Sequence, residues 1–227
     1  MFGLCGSHRT GKTALAQAYA EKHGAIFLKS DITGWQREIG FDSSNQTYSF
    51  DDRMKIQEHM IARLEDLYVE HFMGESKLEP VITDRTPIDL MMYPLAAVTD
   101  GLSDEQSQRL EAYLNKCFEV QNKYFTGVML VQPGIPLVKK EGSAKCCKAF
   151  IEKLNTIVLG LFMDGRLRVP HWYLKRDVLD LNKRISLCHS CWHKARISLI
   201  AKLDAKETVS SKPDSMNGIE FATETRQ

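Results

Sequence analysis

Gly6-Ser7-His8-Arg9-Thr10-Gly11-Lys12-Thr13 satisfies the spacing G-x-x-x-x-G-K-S/T with no residue left over. Glycines at the two ends of such a turn allow backbone conformations that a Cβ forbids, so successive N–H groups can converge on a polyphosphate. In that geometry Lys12 reaches the β and γ phosphates and the Thr13 hydroxyl ligates Mg²⁺. All eight residues are therefore expected to bind nucleotide: Gly6, Ser7, His8, Arg9, Thr10, Gly11, Lys12 and Thr13. The flanks have the required order. Phe2-Gly3-Leu4-Cys5 reads as a short buried strand entering the turn, and Ala14, Leu15, Ala18 and Tyr19 recur at helical spacing after it.

A chain of 227 residues, 43% of them hydrophobic, can bury a full core, and one large domain over residues 1–205 is expected. Lys plus Arg number 30 against 29 Asp plus Glu. The resulting formal charge of +1 gives no electrostatic basis for duplex DNA or an anionic membrane as the main partner. The expected partner is a small molecule, and a homodimer stays open. No apolar run reaches membrane-spanning length and Met1 leads directly into the first strand, so a cytoplasmic protein is expected. The six cysteines at 5, 117, 146, 147, 188 and 191 read as free thiols of a reducing compartment.

Further along, Ala25-Ile26-Phe27-Leu28 reads as a second strand that delivers Asp31 near its carboxyl end, the edge of a parallel sheet where ligands bind. Asp31 is a candidate acceptor-side base, with capping of the following turn as the competing role. Residues 32–50 read as a loop whose Trp35, Phe41, Tyr48 and Phe50 either stack on a planar base or form a small core of their own. A helix is expected from Asp51 to about Phe72, closed by Gly74. Pro80-Val81-Ile82-Thr83 is the third strand, and it ends on Asp84-Arg85, the position for a Mg²⁺-holding carboxylate and a phosphate-gripping guanidinium. Thr86, Pro87 and Asp89 match an N-cap, first helical residue and capping-box partner, which assigns Asp89 a structural task.

Ser103-Asp104-Glu105-Gln106 is a second capping box, and Gly127–Val131 a fourth strand. Residues 133–148, with Lys139, Lys140, Lys145 and Lys148, read as a lid over phosphates or as a solvated charge run. A fifth strand is expected at Arg166–Pro170 and a last helix from about Asp177, with residues 206–227 as a loosely attached tail. Cys188-His189-Ser190-Cys191-Trp192-His193 has metal-ligand residue types, but a helix would turn its cysteines and histidines to different faces, which argues against zinc.

Taken together, the N-terminal phosphate loop, Asp31 after the second strand and Asp84-Arg85-Thr86 after the third resemble the nucleoside and nucleotide kinase branch of P-loop proteins. Asp-Arg at that place is similar to the motif of thymidylate kinases and deoxynucleoside kinases. The opening strand and loop also resemble the nicotinamide-riboside-kinase-like family, and the layout resembles small P-loop kinases often encoded by bacteriophages, for which the compartment would be the host cytoplasm. The resemblance implies a three-layer α/β/α P-loop fold with a five-stranded parallel sheet, and ATP with Mg²⁺ as cofactors. It further implies catalytic roles for Lys12, Asp31, Asp84 and Arg85, with Thr13 and Asp84 at the metal. The acceptor would be a nucleoside or a nucleoside monophosphate. A switch or assembly ATPase, and a kinase acting on a modified base in DNA, are the competing readings.

Overall fold

The computed structural model describes residues 1–41, 48–74, 79–98, 101–137 and 147–210, without the side chains of 202–210. The opening strand β1 (Phe2–Cys5) is fully buried and lies at the centre of a five-stranded sheet of order β2-β3-β1-β4-β5. The other strands are β2 (Ile26–Leu28), β3 (Val81–Thr83), β4 (Gly127–Val131) and β5 (His171–Leu174), and every pairing is parallel. Parallel strands are covered on both faces, so their residues are apolar throughout and alternate between two cores. Phe2, Leu4, Ile82, Met129 and Val131 point to one core, and Cys5, Val81, Val128 and Leu130 to the other.

The first core is closed by α1 (Lys12–His23) and α7 (Leu181–Ser210), with Leu15, Tyr19, Ile185, Cys188 and Trp192 turned inward. Trp192 stacks on Phe2 with ring centroids 5.6 Å apart. The second core is closed by α3 (Phe50–Met73), α4 (Pro87–Ala97), α5 (Asp104–Tyr124) and α6 (Lys148–Phe162). This is the expected three-layer α/β/α arrangement. Among the described residues no helix is long and apolar enough to cross a membrane.

Four boundaries differ from the sequence reading. Residues 32–38 are not loop but a short helix, α2 (Ile32–Glu38). Asp31 caps it by accepting from Gly34 N at 2.9 Å, and the burial of Trp35 outweighs the helix-breaking tendency of Gly34. Phe41, Tyr48 and Phe50 pack against the same core, so the aromatic residues of this region are turned to the protein itself.

The fifth strand starts after Pro170 rather than before it. Arg166 is held by Asp164 in a local turn, and the chain joins the sheet where Val128 N donates to Pro170 O at 3.0 Å. The last helix starts at Leu181, because Asp180 rather than Asp177 caps it, its Oδ1 accepting from Lys183 N at 2.8 Å. That helix continues to Ser210, past the expected boundary at 206. Of the expected lid, Lys139, Lys140 and Lys145 lie outside the described residues, and Lys148 is the first residue of α6. Residues 211–227 of the expected tail also lie outside them.

Candidate active site

The chain leaves β1 at Gly6 and must turn at once. Gly6 has φ 131°, and a Cβ there would come within 2.7 Å of Val131 O on the adjacent strand, so only glycine fits. Arg9 and Gly11 also take left-handed conformations, with φ 61° and 88°. The loop thereby closes into a cradle whose end, Gly11, is the N-cap of α1. The first N–H groups of α1 lack intrahelical partners and carry the positive end of the helix dipole, which together favour an anion. Thr10 Oγ1 braces the turn by donating to Ser7 O at 3.1 Å.

Lys12 lies inside this cradle and not on its surface. Its Nζ donates to Gly6 O at 2.6 Å and Ser7 O at 2.9 Å, and Asp89 Oδ1 is 3.9 Å away. The structure leaves Lys12 only 6% exposed. Burial lowers its pKa to about 8, against the opposing attraction of Asp89. His8, half-buried beside Phe150 of α6, is lowered to about 4 by burial, with Lys12, Arg85 and Arg9 adding to the effect.

The register of β1 against β3, Gly3 opposite Thr83, carries the end of β3 to the side of the loop. Thr13 Oγ1 there donates to Asp84 Oδ2, while Asp84 Oδ1 is buried without a hydrogen-bond partner. A hydroxyl and a carboxylate side by side, one oxygen unsatisfied, are hard oxygen donors of the kind Mg²⁺ takes. Arg85 follows. Burial opposes its charge, yet Tyr93, which takes a hydrogen bond from it, and the carboxylates Asp89 and Asp84 raise its pKa above the ordinary arginine value.

Asp31 stands apart from this group: its exposed carboxylate caps α2, and its described hydrogen bond is to Gly34 N. Lys12, Thr13, Asp84 and Arg85 are thus brought together and Asp31 is not joined to them by a described contact. Four further polar residues escaped the sequence reading. Asp89, beyond its capping role, accepts from Gly6 N at 2.8 Å. Arg184 of α7, 3% exposed, donates from Nη1 to Thr10 O at 3.1 Å and from Nε to Val178 O at 2.7 Å.

On α3, Gln57 is 5% exposed with Oε1 unpartnered. One turn before it, Arg53 lies over the Tyr48 ring at 5.2 Å with Nε unpartnered. A Gln and an Arg four residues apart on an apolar helix face are the signal that was available, since buried polar groups left without partners await a ligand or water. A separate crevice of about 140 Å³, lined by Tyr19, His23, His189 and Trp192 among others, lies at the far end of α1.

No protein-family model matches the chain. No curated protein matches it in sequence. Solved structures do match in fold. One is the deoxyadenosine kinase from M. mycoides with bound dCTP, at 16% identity and TM-score 0.56, covering 86% of this chain and 100% of that one. The same kinase with bound dATP matches at TM-score 0.53 and 16% identity, over 85% of this chain and 98% of that one. The NadR protein in complex with NR matches at TM-score 0.59 and 16% identity over 86% of this chain, which spans half the length of that protein. The five-stranded parallel sheet between helices is the fold these structures share with the chain. The Gly6–Thr13 loop, with Thr13 on Asp84, lies where the parallel strands end, the edge at which open α/β sheets take ligands.

Proposed function

We propose that the chain is a kinase that transfers the γ-phosphoryl group of ATP to a nucleoside or nucleoside monophosphate. The observation that carries the reading is the pair of buried, unsatisfied polar groups on α3, Gln57 Oε1 and Arg53 Nε, one helical turn apart. Arg53 is electrostatically linked to Tyr93, and Tyr93 is hydrogen-bonded to Arg85 at the end of β3. A switch ATPase needs the loop, Thr13 and Asp84, but it has no use for an amide and a guanidinium left unsatisfied on α3.

In this reading the loop binds the triphosphate through the first N–H groups of α1, and Lys12 exchanges its two carbonyl contacts for phosphate oxygens. Thr13 and Asp84 hold Mg²⁺, which when bound neutralises phosphate charge. Arg85, fixed by Tyr93, presents two parallel N–H groups to a phosphate. The acceptor lies between α2, α3 and α4, its base against Gln57 and Arg53, and Asp31 receives the proton of its hydroxyl. Catalysis is then mostly positioning and charge neutralisation. The neighbours in fold fit the substrate class: one is a kinase of deoxyadenosine, solved with dCTP and with dATP, and the other was solved with NR.

The direct test is ATP consumption in the presence of single nucleosides and monophosphates. Acceptor-dependent turnover is expected, and turnover indifferent to every acceptor would support a switch instead. Gln57→Leu conserves volume and removes the base-reading amide, so the acceptor KM should rise about tenfold or more with the ATP KM unchanged. Arg85→Lys keeps the charge and loses the planar fork. It is expected to cost about tenfold in kcat/KM, in the acceptor KM for a monophosphate substrate and in kcat for a nucleoside.

A further inference from the structure

Asp89 is 0% exposed, and burying a carboxylate is costly unless its surroundings require it. Helix capping does not require it. The same chain caps α5 with Ser103 and a neutral, solvent-facing Gln106, whose Oε1 accepts from Ser103 N at 3.1 Å. Asp89 differs in what its two oxygens reach. Oδ2 accepts from Thr86 N at 2.9 Å and from Thr86 Oγ1 at 3.1 Å. Oδ1 accepts from Gly6 N at 2.8 Å, 83 residues away, and faces Lys12 Nζ at 3.9 Å. Thr86 immediately follows Asp84 and Arg85.

We propose that Asp89 is a positioning residue of the donor site: one buried carboxylate that ties the first peptide of the phosphate loop and Lys12 to the turn aiming Asp84 and Arg85. Its Oδ1 occupies Gly6 N, so the N–H at the mouth of the loop is committed to holding the loop's shape and the later N–H groups are left to the phosphates. Its charge faces the largely buried ammonium of Lys12. The tie also fixes the distance between the end of β1 and the end of β3, across which Thr13 meets Asp84. The inference rests on reading the loop as a polyphosphate cradle, but not on the identity of the acceptor.

The test is Asp89→Asn, which preserves shape, removes the charge and turns an N–H toward Thr86 N. Two measurements apply to it. Cys5-Gly6 is the single Cys-Gly pair in the sequence, so selective ¹³C-cysteine and ¹⁵N-glycine labelling isolates the Gly6 amide in an NMR spectrum. That resonance, shifted downfield by a carboxylate acceptor, should move upfield in the variant. The affinity for MgATP, read with a fluorescent ATP analogue, should weaken about tenfold to a hundredfold, as expected for loss of a charge-assisted contact. Nucleoside affinity should stay within about twofold, because a nucleoside carries no phosphate for Arg85 to grip.

A folded Asp89→Asn protein that binds MgATP within about twofold of wild type, or whose Gly6 resonance does not move, overturns the proposal and leaves Asp89 a folding residue. Where Asp89→Asn fails to fold, Thr86→Val takes its place. It withdraws one donor from Oδ2 at nearly constant volume, and should weaken MgATP binding about threefold and move the Gly6 resonance. Unchanged values for both would overturn the proposal equally. The Gly6 resonance is read without any ligand, so this result is separable from a failure of the acceptor screen.

Discussion

Lys12→Ala is expected to lower turnover by about 10³-fold or more while the protein remains folded, by analogy with removal of other cations that stabilise transferring phosphoryl groups. The ammonium is held within the loop by Gly6 O and Ser7 O, contacts of 2.6 and 2.9 Å that phosphate oxygens can replace with little movement. Because Lys12 is buried against Asp89, truncation also strips that carboxylate of its cation. A stability loss of about 1–3 kcal/mol should therefore accompany the catalytic one. Lys12→Met separates the two effects, since it restores methylene packing without charge. Equal loss of transfer in both variants, with a higher melting temperature for Met, assigns the catalytic effect to the ammonium. Turnover within about tenfold of wild type in either folded variant contradicts phosphoryl transfer at this loop.

Asp31→Asn should reduce transfer by about 10²–10⁴-fold and leave both MgATP affinity and melting temperature at wild-type values. The expectation of unaltered stability comes from the cap. Asp31 Oδ1 accepts from Gly34 N, and asparagine is as good an N-cap as aspartate, so α2 keeps its start. What asparagine cannot do is take a proton from an acceptor hydroxyl. A melting curve and a single-turnover assay with the best acceptor check both halves. Transfer at the wild-type rate would show that the carboxylate serves α2 alone and that acceptor activation lies elsewhere.

The parts of this fold legible in the sequence are those with local causes. The loop spacing, the strand before it and the helix after it lie within 23 residues, and all three are where their pattern puts them. Both capping motifs, at Thr86 and Ser103, mark true helix starts, because a cap is settled by side chains within one turn. The third strand and its Asp84-Arg85 end were equally readable from apolar run and terminus.

What escaped depends on distant partners. Gly34 and Trp35 look like loop residues until α3 supplies a surface for the indole, where Arg63 lies over the ring at 5.7 Å. The fifth strand was displaced by four or five residues because Leu167 and Val169 are apolar and buried without being in the sheet. Asp89 looked fully explained by its capping role, and nothing within a turn of it reveals Gly6 on its other oxygen. Gln57 sits in an amphipathic helix that reads as plain packing, and its place four residues after Arg53 on the apolar face gains its meaning from burial without a partner.

Arg184 reaches Thr10 O from 174 residues further along the chain. Its guanidinium also lies beside Gly11, where an added Cβ would come within 3.2 Å of Nη1. During synthesis this loop leaves the ribosome well before α7, so this side of it stays open until α7 has been made and docked across Phe2 and Tyr19. A nascent chain ending before α7 would present the bare apolar faces of Phe2, Leu4 and Leu15 and a loop without its closing cation. The Gly6–Thr13 loop thus takes its closed form late in the life of each molecule, once α7 has folded back over β1.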